Sequence, residues 1–185
     1  IDFYKYHGLG NDFIIIDNRE EKIKFEKDTI RALCHRNFGI GADGILLAEN
    51  SKDFDVKMVI YNSDGSSAEM CGNATRCFAK YLYEKGIIKK KTIHIETLAG
   101  EIIPEIQTEN DKVMKIKVDM GKPVFDPKAI PCNIECETVK NIKIKIGSAV
   151  YDITAMLMGV PHAVIFKDEL ADSDIIREGK QIEES

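Results

Sequence analysis

No apolar run in this 185-residue chain approaches the ~20 residues that a bilayer-crossing helix needs, which excludes a span of that kind. Nor does the chain start with a charged segment followed by a long apolar one. Ile1-Asp2-Phe3-Tyr4-Lys5 reads as a strand, and no export signal is expected. Concentrated charge is scarce too. The net charge of -5 is spread along the chain, and the one basic cluster, Lys89-Lys90-Lys91, falls at a turn, which argues against nucleic acid as a partner. A metal site is also unsupported. Cys132 and Cys136 stand at a ligand-like spacing, but no second pair of Cys or His does, so they read as small apolar side chains in or near a loop. Five cysteines, an odd count without a signal peptide, fit reduced thiols and a cytoplasmic location. What is present is the balance of a globular protein, 44% hydrophobic and 31% charged, long enough for one ordinary domain or two small ones.

The chain alternates short β-rich runs with few helices, an α/β pattern. Phe13 to Ile16 is a buried-strand run ending at Asp17-Asn18. Asp28 to Cys34 reads as a short helix with Asp28 as N-cap. Gly39, Gly41 and Gly44 mark a loop before the strand Ile45-Leu46-Leu47. Their spacing mimics a dinucleotide fingerprint, but they precede a strand and not a helix, so that mechanism is absent. Val56 to Tyr61 is another strand, and Asn62 to Ser67 a turn cluster. The best helix begins near Cys71: Ala74, Cys77, Phe78, Tyr81 and Leu82 form one apolar stripe, and Gly86 follows as the residue that ends it. Further strands are expected at Ile93 to Thr97, Ile102 to Ile106 and Val113 to Val118. Three prolines between Lys122 and Cys132 suggest a boundary between two units. Strands then recur at Ile142 to Ile146, Val150 to Thr154 and Ala163 to Phe166, before a polar stretch from Glu178 to Ser185. Leu9 to Ile15 weakly echoes Met158 to Val164, a hint of two related halves, the second of which looks incomplete.

Chemistry concentrates around Asn62-Ser63-Asp64-Gly65-Ser66 and Met70-Cys71-Gly72-Asn73-Ala74-Thr75-Arg76-Cys77, which reads as strand, turn and helix start. At a helix start, free N–H groups and the positive end of the dipole favour a thiolate and also suit a carboxylate. Gly72 lets a ligand approach the backbone. A cysteine beside an anion site is placed to act on the carbon next to a carboxylate. The same residues also suit a buried structural cysteine beside a glycine, and the local sequence leaves both open. Cys77 and Cys34 lie on helical stripes and read as packing residues. His7 and His162, taken alone, read as structural histidines.

Taken in order, His7-Gly8-Leu9-Gly10-Asn11-Asp12-Phe13, Phe38-Gly39-Ile40-Gly41-Ala42-Asp43-Gly44, the two segments above, Met120-Gly121-Lys122-Pro123 and Met158-Gly159-Val160-Pro161-His162 resemble the signatures of diaminopimelate epimerases. The resemblance implies two similar units, each a β-barrel-like sheet around a central helix. Residues 1–118 would be the N-terminal unit and 119–185 a partial C-terminal one. It implies epimerisation of diaminopimelate from LL to meso, a step toward lysine and peptidoglycan precursors, by two cysteines on opposite faces of the α-carbon. No pyridoxal phosphate or metal takes part in that chemistry. Cys71 matches the first cysteine; Asn11, Asn62, Gly72 and Asn73 match substrate-binding positions; His162 matches a histidine that tunes the thiols. Independently of any family, inversion needs acid/base groups on both faces, and without an electron sink the carbanion must be stabilised through its carboxylate.

Two departures stand out. No later cysteine occupies the context of the family's second catalytic thiol, so the chain as it stands is expected to be inactive alone and its gene to continue past Ser185. Val160 occupies a substrate-contact position where the family pattern has asparagine, and valine cannot hydrogen-bond a polar distal group. The alternatives are therefore a related racemase of another amino acid, such as histidine, and an inactive ligand-binding fragment. A cysteine hydrolase would need an orienting third group that nothing suggests. The expected partner is a small amino-acid substrate, with no nucleic acid and no membrane, and a homodimer is the expected assembly.

Overall fold

Residues 13 to 16 and 45 to 48 carry unbroken apolar runs, and such runs belong to strands buried on both faces. The computed structural model, which describes residues 1–20, 23–130, 132–169 and 171–183, bears this out. It divides into two units, Ile1–Met120 and Gly121–Ser185.

In the first unit, β1 (Tyr4–Gly8) pairs antiparallel with β2 (Asn11–Asp17). Helix α1 (Lys27–Cys34) follows, then β3 (Gly44–Glu49), β4 (Val56–Asn62) and the short β5 (Ser67–Ala68). Helix α2 (Gly72–Glu84) precedes β6 (Ile95–Thr97) and β7 (Gly100–Ile102). These strands form one seven-stranded sheet in the order β1-β2-β3-β4-β6-β7, with β5 also on β4. The β2–β3 and β4–β6 pairs are parallel. A separate antiparallel hairpin, β8 (Glu105–Glu109) and β9 (Lys112–Lys117), completes the unit.

Alternation along the strands divides the core into two layers. Phe13, Ile15, Leu46, Met58 and Ile60 pack against Ala74, Cys77, Phe78, Tyr81 and Leu82 of α2. The intervening Ile14, Ile16, Ile45 and Leu47 pack against Ile30 and Cys34 of α1. Ile106, Val113 and Ile116 of the hairpin join the α2 layer, so α2 is packed between sheet and hairpin. Phe78, Tyr81 and Leu82 are essentially inaccessible, and burying each such side chain is worth about 1.5–3 kcal/mol. The helix ends as its sequence suggests: Gly86 has φ of 68° and donates to the Tyr83 carbonyl.

Several features differ from the sequence expectations or add to them. The N-cap of α1 is Glu26, with no side-chain cap; Asp28 lies inside the first turn, where its charge faces the positive end of the helix and pairs with Arg31. Ile102 to Ile106 is not one strand. Pro104, which has no N–H for a ladder, separates β7 from β8. The polar tail is mostly helical: α3 (Asp172–Glu183) occupies it, while Glu184 and Ser185 lie outside the described residues.

The second unit holds an antiparallel sheet of β10 (Ile142–Ile146), β11 (Ala149–Met158) and β12 (Val160–Val164), followed by α3. Ile130, Val139, Ile153 and Ala155 form its core, with Cys132 and Cys136 half-buried against it. Strand β12 starts three residues before the expected Ala163, because Gly159 turns the chain at φ of 73° directly into the pairing with β11.

Candidate active site

Two turns bring the site of the first unit together. Leu9 and Gly10, both at positive φ, form the two-residue turn between β1 and β2 and place Asn11 at the start of β2. After β5 the chain enters α2 through Cys71, whose extended φ and ψ of -152° and 116° are those of an N-cap. The two points meet. β1 ends against the first turn of α2: a Cβ on Gly8 would stand in van der Waals contact with Asn73, at 3.4 Å.

Cys71 is half-buried, and its sulfur accepts the Ala74 N–H at 3.5 Å. Sγ also lies 3.9 Å from Oδ1 of Asn11. The Asn73 amide donates to the same Oδ1 at 3.3 Å. Gly72 and Asn73 belong to the first helical turn, where no helix carbonyl faces the N–H groups and an anion can. Gly72 is also tightly overlaid: a Cβ there would lie 3.1 Å from the sulfur of Met120. Cys71, Asn11, Gly72 and Asn73 are thus brought together.

Asn62 stands at the same end of the sheet, since Phe13, Gly44 and Asn62 are in register across β2, β3 and β4. Its side chain is committed locally, donating to Ser66 Oγ at 3.0 Å to close its own turn. His162 and Val160 belong to the second unit, both exposed on β12. The His162 Nδ1 lies 2.7 Å from the Val160 carbonyl, an acceptor, so this nitrogen carries a proton and donates there.

Other cysteines differ in kind. Burial pushes the Cys77 thiol up to about 11 and raises that of Cys34, as befits packing residues. Among the described residues, Cys71 is the one cysteine at a helix N-terminus, and none holds three or more Cys, His, Asp or Glu grouped for a metal ion.

A charged cluster stands behind Asn11. Arg36 Nη2 donates to Asp12 at 2.9 Å and to Asp43 at 2.7 Å. Lys5 lies 2.9 Å from Asp12. Asp43 accepts from Asn11 Nδ2 at 2.9 Å and from the Asp12 N–H at 3.1 Å. The bonds from Arg36 hold the Asp12 carboxyl far below the usual carboxylate range, and that of Asp43 is lowered chiefly by the Asn11 amide. Arg76 pairs with Oδ1 of Asn73. A signal existed in the aspartates following the two glycine turns, but nothing local says that they meet.

Solved structures share this fold. The chain is similar to a probable proline racemase from Agrobacterium radiobacter K84, with TM-score 0.71 and 13% identity, over 98% of this chain and 58% of that one. A hydroxyproline epimerase from Agrobacterium vitis gives TM-score 0.63 and 15% identity, over 88% and 50%. The architecture is therefore the α/β fold of this racemase and this epimerase. Sequence comparison is sharper. The family described as diaminopimelate epimerase matches residues 3–126. The diaminopimelate epimerase of Caldanaerobacter subterraneus subsp. tengcongensis is 46% identical over 99% of this chain, and that of Clostridium perfringens 48% identical over 90%. The chain belongs to the diaminopimelate epimerase family. It spans 66% and 61% of the length of these two relatives.

Proposed function

We propose that the whole protein epimerises diaminopimelate at its α-carbon, from LL to meso, without a cofactor, in the cytoplasm. The observation that carries this reading is Cys71 at the N-cap of α2, with Asn11 against its sulfur and Asn73 bonded to Asn11. In the proposed reaction the Cys71 thiolate takes the α-proton and becomes the thiol. A second acid on the opposite face gives a proton to the carbanion. None of Cys34, Cys77, Cys132 or Cys136 is assigned that part. The first-turn N–H groups of α2 hold the α-carboxylate, where charge accumulates as the proton leaves. Asn11, Asn62, Gly72, Asn73 and Val160 are assigned to substrate binding and His162 to tuning the thiols. Residues from 119 onward are read as part of the family's C-terminal unit.

The test is solvent-deuterium incorporation at the α-carbon by the full-length enzyme, run on diaminopimelate, histidine, lysine and glutamate. Diaminopimelate is expected to exchange fastest. Faster exchange of another amino acid would overturn the substrate; no exchange in any of them would overturn the chemistry.

A further inference from the structure

We propose that Asp43 is a positioning residue for this reaction: its carboxylate locks the Asn11 amide in the orientation that turns Oδ1 toward the Cys71 thiol. The inference rests on the reading of Cys71 as a proton-transfer group. An asparagine amide offers donors on one side and an acceptor on the other, and only its neighbours choose between the two flips. Here both ends are chosen. Asp43 Oδ2 can only accept, and it stands 2.9 Å from Asn11 Nδ2; a carbonyl there would face a negative charge. Oδ1 must therefore lie on the far side, where it takes the Asn73 amide at 3.3 Å and faces Sγ of Cys71 at 3.9 Å. Asn73 is oriented by the same logic, because the donor-only Arg76 guanidinium holds its Oδ1 and leaves its Nδ2 for Asn11. An alternating run of acceptors and donors thus extends from Asp43 to Arg76 and touches Cys71 on the way.

Asp43 is itself anchored. Arg36 donates to its Oδ1 at 2.7 Å, and the Asp12 N–H to its Oδ2 at 3.1 Å. The chemical consequence lies at the sulfur. Facing Oδ1, the thiol has an acceptor for its S–H, while the Ala74 N–H supports the sulfur once the proton has left. A flipped amide would offer the sulfur donors only. A reversible epimerase uses the same group as base in one direction and acid in the other, so both partners are needed.

The experiment measures α-proton exchange in the full-length enzyme for Asp43→Ala, Asn11→Ala and the double variant. Asp43→Ala is expected to lower kcat/KM about tenfold or more, as for a lost hydrogen bond to a charged group. The double variant is expected to lie within about threefold of Asn11→Ala alone, since Asp43 acts through Asn11. Asp43→Asn, which keeps an acceptor oxygen, is expected to recover most of the activity. Effects that multiply, or an undiminished Asp43→Ala enzyme, would overturn the inference. If Asp43→Ala fails to fold, a folded Asp43→Asn enzyme as impaired as Asn11→Ala would do the same. Cys71→Ser separates the two layers. Near-normal exchange there would overturn the reading of Cys71, and the inference with it; an inactive Cys71→Ser beside multiplying Asp43 effects would overturn the inference alone.

Discussion

Serine, threonine, asparagine and aspartate are the usual helix caps, because a neutral oxygen accepts an N–H better than a neutral sulfur does. Cys71 nevertheless caps α2. A sulfur is costly as a cap and useful as a base, and the two roles separate on mutation. Cys71→Ser supplies a better cap, so thermal unfolding is expected to stay level or move upward. Turnover in the full-length enzyme is expected to fall roughly 10²–10⁴-fold, the usual worth of a positioned acid/base group. Cys77→Ser is expected to do the reverse. Its side chain is 4% exposed within the α2 layer, so a hydroxyl there costs about 1–3 kcal/mol in a denaturation experiment while exchange below the transition is unchanged. These different placements were partly legible in sequence: the helical stripe marks Cys77 as inward, and the Gly72 that follows marks Cys71 as the helix start. The amide orientation beside Cys71 was not legible, because Asp43 lies 32 residues from Asn11.

Among the elements, the loop from Gly39 to Gly44 shows what a misleading motif is made of. Its spacing imitates a nucleotide-binding turn, yet each glycine answers to packing. A Cβ on Gly39 would lie 2.0 Å from the Ala32 carbonyl at the end of α1. One on Gly44 would lie 2.4 Å from the Tyr61 carbonyl on the neighbouring strand. Backbone cannot give way as a side chain can. Gly44→Ala is therefore expected to destabilise the first unit by at least about 1–3 kcal/mol, read as a lowered urea midpoint. An unchanged midpoint would show that β3 and β4 can separate at no cost. Strand boundaries were the weaker part of the sequence reading. Ile102 to Ile106 has the right composition for one strand, and Pro104 divides it because pairing, and not composition, needs the N–H.

At the scale of the whole molecule, acid sensitivity is expected to concentrate in the first unit. Asp12, Asp17, Asp43, Asp55 and Asp64 all have carboxyls held below the ordinary range by hydrogen bonds, led at Asp12 by Arg36 and at Asp55 by the His94 N–H. A depressed folded-state value means that the stabilisation is fully present above the unfolded value, about 4, and is lost as pH falls toward the folded values. Urea midpoints are thus expected to hold above about pH 5 and drop steadily below pH 4. Asp12→Asn is expected to lower the neutral midpoint and flatten that drop; an unaltered slope would remove Asp12 from the cause. The sequence by itself determined that α1 and α2 are helices and that β2, β3 and β4 are strands, where α2 begins, and which cysteine stands at its start. Those properties are written in periodicities and caps a few residues long. Only the tertiary structure decided that Asn11 meets Cys71, 60 residues away, and that Asp43 and Arg36 stand behind it. The parallel pairing of β2 with β3, and the packing of α2 against their sheet, are long-range choices that no local pattern encodes.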